Sequence, residues 1–450
     1  MASAKESEIL TRVGVGTPMG ELMRQYWLPA AMSSELKADG EPMRLMLLGE
    51  KLLAFRDTSG RVGLMDHRCP HRCASLFFGR NEDHGLRCVY HGWKFDVDGN
   101  CVDMPNVPPE HDYKHKVKAK AYKTVERAGI IWVYMGPREQ PPAFPMLEPT
   151  LMPESELRIN FIQRECNWMQ ALEGDIDTTH LSFLHLGSVD PNEFQPGSLD
   201  RYTVANRAAV LKVRRTEWGT MYCARREVED KIYYRFAQYL MPFWTMIPTG
   251  EITHHISLRG WVPMDDTHTM FVQMNWTGNP QRGRIVRSSG SAAAGTNSAM
   301  KYLPNTSDWY GRWRLAANAA NDYMIDREVQ RTRSYTGIDG IFLQDQAVTE
   351  SMGAITDHSF EHLGPSDLMI IQTRRRAVEA AIALAESKVV PPGIDNPDIF
   401  MGARGGDFAL DEDMDWMEAY EEQMRASVDP TGNLKRPPAR RQGASLQAAK

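Results

Sequence analysis

Apolar and polar positions change rhythm along the chain, and each rhythm predicts a different architecture. Residues 1–40 open polar and are expected to fray. Thr17-Pro18 then supplies an N-cap and a proline at the first helical position, predicting a short helix through Gln25-Tyr26 that Pro29 ends. This 1–40 stretch reads as a helical segment packing on the second domain. From 41 to 140 the apolar residues come in short runs, Arg44–Leu48, Lys51–Arg56, Val62–Met65 and Gly129–Met135. Turn segments such as Asp57-Thr-Ser-Gly60 and Asp98-Gly-Asn100 separate them, so a small all-β domain is predicted.

Gln140-Pro-Pro-Ala-Phe-Pro145 marks the linker to a second domain over 150–390. There a strand-like Leu157–Gln163 leads into a helix, followed by longer β-type segments. These are Ala208–Thr216, Thr220–Val228, Lys231–Leu240, His254–Val262 and Thr269–Asn275, with a turn at Asp265-Asp266. A helix feeding an antiparallel sheet is α+β in class, with the sheet's concave face the natural wall of a site. The small-residue stretch at 281–305 reads as a flexible loop, an inert insertion more than a lid. Leu368–Lys388 predicts a helix ended by Val389-Val-Pro-Pro-Gly393. Residues 391–450 read as a C-terminal extension, with an acidic helix over Asp411–Met424 and a disordered basic tail over Arg436–Lys450.

Composition narrows the class. The 450 residues are enough for two cores, and a net charge of −6 with interspersed signs leaves no nucleic-acid or anionic-membrane footprint. No signal segment is expected, and the apolar runs are too short to span a bilayer. Six cysteines in this length suit a reducing cytoplasm, with Cys73, Cys101, Cys166 and Cys223 as free thiols.

Three places carry chemistry. The first is Asp177-x-x-His180-x-x-x-x-His185, inside the stretch Cys166–His185. Asp177 and His180 would share a helical face. His180 and His185 lie about 140° apart on a regular helix, so one metal accepts both only if the helix ends or distorts near Ser182-Phe183. Two imidazoles and a carboxylate with open positions suit a non-haem Fe(II) that binds O2, although surface or core histidines would give the same pattern. The second is Cys69-Pro-His71 and Cys88-Val-Tyr-His91, separated by sixteen residues. Each loop supplies one thiolate and one imidazole, as in a Rieske [2Fe–2S] centre, whereas zinc fingers group the cysteines and then the histidines. Trp93 either shields this cluster or is plain core. The third is Phe342-Leu-Gln-Asp345, where Asp345 is the candidate for an acidic third ligand, with Asp339 and Asp357 as rivals that periodicity does not exclude.

Together these motifs resemble the Rieske non-haem iron oxygenases, in particular the catalytic α subunit of the phthalate dioxygenase-like group, over residues 10–390. The resemblance implies that Cys69, His71, Cys88 and His91 hold the cluster. It makes His180, His185 and Asp345 the ligands of a mononuclear Fe(II), with Glu350 reproducing a family acid five residues on. Asp177 matches the catalytic carboxylate that bridges a cluster histidine of one subunit to an iron histidine of its neighbour. Glu173 departs from the family, which often has an amide there. Respiratory Rieske proteins pair an extra cysteine from each loop, and the second loop here has none, which points to the oxygenase type.

The resemblance further implies a head-to-tail homotrimer, alone or stacked as a hexamer, and NADH-derived electrons from a separate flavin and iron–sulfur reductase. The chain itself has no dinucleotide glycine fingerprint. The implied reaction is dihydroxylation of an aromatic substrate of the benzene-carboxylate or phthalate type. Its rivals are monooxygenation, as in O-demethylation or diaryl-ether cleavage, and a pure electron carrier, which would need no second metal site. A carboxylate substrate calls for a cation in an apolar pocket, and Arg207 is the candidate. Arg214, Arg215, Arg225 and Arg226 read mostly as solvated strand residues. His254 and His255 adjoin in a predicted strand, so one, taken as His255, faces inward. Tyr239–Ile247, with Trp244, offers bulky lining material or plain core.

Overall fold

The computed structural model describes residues 3–278, 289 and 299–438. Most of the predicted 281–305 loop, and the basic tail from 439 on, lie outside the described residues. Helix α1 (Ala4–Thr11) forms where fraying was expected, because Ser3 and Glu6 close a capping box at 3.2 and 2.8 Å. Helix α2 (Pro18–Arg24) starts as predicted, with Thr17 Oγ1 accepting from the Gly20 amide. The 1–40 segment is not helical throughout. Its next residues form strand β1 (Trp27–Met32), buried along almost its whole length.

Strands β2 (Met43–Leu47), β3 (Glu50–Arg56) and β4 (Val62–Asp66) follow the predicted runs. Four short strands come next, β5 (Arg80–Glu82), β6 (Gly85–Arg87), β7 (Lys94–Phe95) and β8 (Cys101–Asp103). They precede β9 (Ala121–Arg127) and β10 (Ile130–Tyr134). One antiparallel sheet has the order β1-β10-β9-β4-β3-β2, and β5–β8 make a second, smaller one. No residue of β9 is fully buried, so no apolar run announced it.

The second half begins with β11 (Leu157–Arg164), α3 (Trp168–Ile176) and α4 (Leu199–Ala205). The sheet then adds β12 (Val210–Arg215), β13 (Gly219–Val228), β14 (Lys231–Leu240), β15 (Trp244–Met246), β16 (Ser257–Pro263) and β17 (Thr269–Trp276). After α5 (Arg327–Thr332) come α6 (Ile341–Ser351), α7 (Leu368–Ser387), β18 (Gly406–Leu410) and α8 (Trp416–Ala426). The sheet order is β11-β17-β16-β15-β14-β13-β12.

The C-terminal region is more than an extension. β15 covers only Gln238–Leu240 of β14, and β18 pairs with Ile232–Phe236 on the edge left free. Gly406 is required there, since a Cβ would sit 2.4 Å from the Ile252 Cα. Strands β13 and β14 are largely buried on both faces because both are covered. Tyr222 and Ala224 join the main core, whereas Met221, Cys223 and Phe236 pack with Tyr420 and Met424 of α8. The main core also runs from the six-stranded sheet into this one, with Trp132 and Trp244 ring centroids 5.7 Å apart. Among the described residues no helix is long and apolar enough to cross a membrane.

The C-terminal segment is tied in by Arg404 and Glu148, each about 1 % exposed, with Nε to Oε2 at 2.9 Å. Removing one partner of such a pair strands a buried charge. Glu148→Ala is expected to cost about 3–5 kcal/mol, read as a lower urea midpoint. An unchanged midpoint would show that the pair carries no stability.

Candidate metal centres and substrate pocket

Two tight turns at one end of the N-terminal β-domain share one backbone wiring. The Cys69 amide donates to Ala74 O at 2.8 Å and the Cys73 amide to Cys69 O at 2.9 Å. In the second turn the Cys88 amide donates to Trp93 O at 2.8 Å and the Gly92 amide to Cys88 O at 2.9 Å. Each turn needs a left-handed residue at the same place, Cys73 at φ +59° and Gly92 at φ +80°. The result buries Cys69 and Cys88 in the core of the small sheet and leaves His71 and His91 partly exposed, ring centroids 4.5 Å apart. Trp93 is both core and shield: it is buried, stacks on His71 at 4.3 Å and donates to Asn106.

Burial, and then the neighbouring Cys88 sulfur, pushes the Cys69 thiol up to about 12. A Cys69 thiolate here therefore needs a metal cation to hold it. His91 Nδ1 is buried with no hydrogen-bond partner, as expected of a nitrogen kept for a metal. The four side chains do not converge as one tetrahedral zinc would require. Among the described residues the only group of three or more such donors within 4.8 Å of one another is His180, His185 and Asp345. The wider set suits a two-iron cluster.

At the second centre, α3 stops at Ile176, and Asp177 caps it with extended backbone, φ −90° and ψ 123°. Asp177 and His180 thus do not share a helical face as expected. A turn joins them: Thr179 N and Oγ1 both donate to Asp177 Oδ1 at 2.7 Å, and Oδ2 lies 3.3 Å from His180 Nδ1. The expected distortion is a π-turn over Leu181–His185, with the Leu186 amide reaching Leu181 O at 3.1 Å. Its wider winding brings the two rings to 5.1 Å. From α6, Asp345 Oδ1 approaches His185 Nε2 at 3.1 Å and His180 Nε2 at 3.6 Å.

The rivals do not join this group. Asp357 is exposed and accepts from Ser359, and Asp339 lines the cavity outside the three-donor set. Glu350 faces elsewhere, accepting from Glu165 N, Gln346 and Tyr323. Glu173 is turned to α7, bidentate with Arg374 at 2.5 and 2.7 Å.

Burial opposes ionisation of Asp345, yet His185, His180 and Arg164 bring its carboxyl down to about 2. Burial likewise works against Asp177, and the bonds from His180 and Thr179 outweigh it, holding the carboxyl below its ordinary value. For His180 burial lowers basicity, but Asp177 and Asp345 raise it overall. The site is thus an acid-lined socket for a cation.

Several groups here carried no signal in the sequence. Gln344 Oε1 meets His185 Nδ1 at 2.7 Å while its amide group donates to Ile338 O, which fixes the ring with Nε2 toward Asp345. Arg164 is fully buried, 4.2 Å from the Phe342 ring centroid. Asp175 accepts from Thr245, Arg259 and Trp261, fastening the end of α3 to the sheet.

The three-donor group opens onto a cavity of about 730 Å3 against the sheet. Of the expected substrate residues only His255 lines it, 3.0 Å from Thr249 Oγ1. His254 lines it too, because both lie in a turn ahead of β16, where strand alternation does not apply. Arg207 is exposed outside the cavity, bonded to Gly187 O and set over Phe183. Trp244 is core, filled in by Trp132 and Phe243. The arginines of the cavity are Arg158, Arg235 and Arg259.

Comparison with known proteins agrees with this geometry. Residues 26–123 match the Rieske [2Fe-2S] domain, and residues 133–426 match the family described as LigXa C-terminal domain like. The oxygenase subunit of 3-chlorobenzoate-3,4-dioxygenase from Comamonas testosteroni is 49% identical over 95% of this chain and 100% of its own. The phthalate 4,5-dioxygenase oxygenase subunit of Pseudomonas putida is 38% identical over 85% of this chain and 87% of its own. In fold, the chain resembles dicamba monooxygenase bound to dicamba, with a TM-score of 0.52 at 15% identity, covering 81% of this chain and 98% of that one. The protein therefore belongs to the Rieske non-haem iron aromatic ring-hydroxylating oxygenases, as an oxygenase subunit of the phthalate dioxygenase-like group that carries a [2Fe–2S] cluster and a mononuclear iron.

Proposed function

We propose that this oxygenase component dihydroxylates a ring bearing a carboxylate, of the benzoate or phthalate kind, with electrons passed from NADH by a separate flavin and iron–sulfur reductase. The observation that carries the reading is the open three-donor group of His180, His185 and Asp345 at the wall of a cavity large enough for an aromatic acid. In this reading Cys69, His71, Cys88 and His91 hold the cluster, and the three-donor group holds the mononuclear iron. When bound, the cluster supplies single electrons and the iron supplies the O2-reactive centre.

The chain's own residues do the rest. Gln344 and Asp177 each take up the Nδ1 of one histidine, so both rings are oriented before any metal arrives. Phe342 and Leu343 line the cavity beside Asp345 and keep that side apolar. Asp177 is about one-fifth exposed, reachable by a second protein surface. We assign to it the bridge to a cluster histidine of a neighbouring copy in a head-to-tail trimer. Exposed Val89 and Tyr90 beside His91, and exposed Phe183 and Tyr335 beyond His185, are the apolar surfaces such a contact would use. All six cysteines are unpaired, which suits a cytoplasmic protein.

Turnover of 3-chlorobenzoate and phthalate under labelled O2, with a competent reductase, tests the reaction: two labelled atoms in one product are expected. One atom would mean monooxygenation, and no product from any aromatic acid would end the substrate assignment. Asp177→Asn is expected to keep both metal centres while coupled turnover falls about 10–100-fold; wild-type turnover would refute the bridge. Gln344→Leu is expected to weaken mononuclear iron binding about 10–100-fold in chelator competition, with the cluster's visible spectrum retained. Equal affinity would show that His185 needs no such partner.

A further inference from the structure

At one end of the catalytic sheet, polar side chains line up on the cavity side. The registers Arg158↔Asn275, Asn160↔Gln273 and Arg259↔Gln273 put these five residues on a common face of β11, β17 and β16, and all five line the cavity. One pair further along, Trp261↔Phe271, the face turns apolar, and Phe271 packs on Phe342 with centroids 4.8 Å apart. Phe342 stands one helical turn before Asp345. A two-residue step along a strand is about 7 Å, so the donor patch begins one such step from the aromatic wall beside the metal ligands. A small ring with one acidic substituent spans that interval.

The patch consists almost wholly of donors. Asn160 Nδ2 donates to Gln273 Oε1 at 3.4 Å and Ser257 Oγ to Asn275 Oδ1 at 2.7 Å. Each amide oxygen thus accepts one bond, and the NH2 ends of Gln273 and Asn275 donate to no group among the described residues. Arg259 is fastened by Nη1 to Asp175 Oδ1 at 2.6 Å, and its Nε is buried with no partner. Asp175 spends its other oxygen on Thr245 and Trp261, so it orients the guanidinium without using all its donors. Arg158 has no ion pair among the described residues. Arg235, by contrast, is committed to Thr203, Tyr233 and Pro248 O, with Asp407 at 4.0 Å.

We propose that Arg259 and Arg158, with the NH2 groups of Gln273 and Asn275, form the subsite that takes the substrate's carboxylate. The inference rests on the aromatic-acid reading above and names the residues that impose it. Planar guanidinium and amide donors match a carboxylate, and a preoriented cation makes the match selective against a neutral isostere. With the acid held there, the ring lies toward Phe342 and the metal ligands.

Calorimetric titration of the metal-loaded protein with 3-chlorobenzoate and with its neutral isostere 3-chlorobenzamide tests this. Wild type should prefer the acid. Arg259→Gln is expected to cut the acid-over-amide preference roughly 10–100-fold and Arg158→Gln roughly 3–10-fold, with Arg259→Lys restoring part of the loss. Arg158 lies at the exposed rim, so its variant carries the test if loss of the Asp175 contact unfolds the other. Preference kept in both variants while wild type still selects the acid would overturn the subsite alone. A wild type that binds acid and amide equally and oxidises no aromatic acid would overturn the substrate assignment and the subsite with it.

Discussion

The three donors of the candidate metal centre do not lie on one regular helix; they come from two segments some 160 residues apart in sequence. His180 and His185 follow α3, Asp345 stands on α6, and the three must meet within 4.8 Å. The two helices are therefore locked together by hydrogen bonds away from the metal. Gln170 donates to Thr349 O and Gly353 O and accepts from Thr356 N, while Asn167 N reaches Ala354 O. Glu350 closes the same seam by accepting from Glu165 N. The Gln170 bonds are shielded or partly shielded from water, so they are not easily exchanged for solvent contacts.

Electrostatics then favours a cation in that seam. Asp177 and Asp345 stay ionised despite burial because histidines and hydroxyls face them, and Asp175 is neutralised by Arg259. Concentrating acids at the end of α3 would be costly without those partners. Glu173, a further acid of that helix, is removed from the group by Arg374. The cavity thus has two characters: an acidic wall with the three-donor group and, across a short apolar stretch, a donor-rich wall on β11, β17 and β16.

The N-terminal β-domain follows a different logic. Its two Cys–His turns are short, repeated hydrogen-bond patterns whose candidate donors lie close in sequence, so their arrangement is local. The core continues from this domain into the catalytic sheet through Trp132 and Trp244. Trp244, a candidate for pocket lining, packs instead in the core that the two halves share, and residues 406–410, expected in an extension, complete the catalytic sheet.

Much of this was legible in the chain itself. The two Cys–His turns, the paired histidines, the need for a distorted turn between them, and most long strands follow from spacing and periodicity, because each depends on neighbours a few residues away. Asp345 could be nominated but not separated from Asp339 and Asp357 by periodicity, since convergence on a metal is a three-dimensional property. Gln344, Arg164 and Asp175 had no sequence signal, because a polar residue reads the same whether it supports a ligand or faces water. The donor-rich wall was hidden for the same reason. Arg207 and Arg259 are alike in sequence, and only the cross-strand register, which brings Arg259 opposite Gln273 and over Asp175, decides which of them meets the cavity.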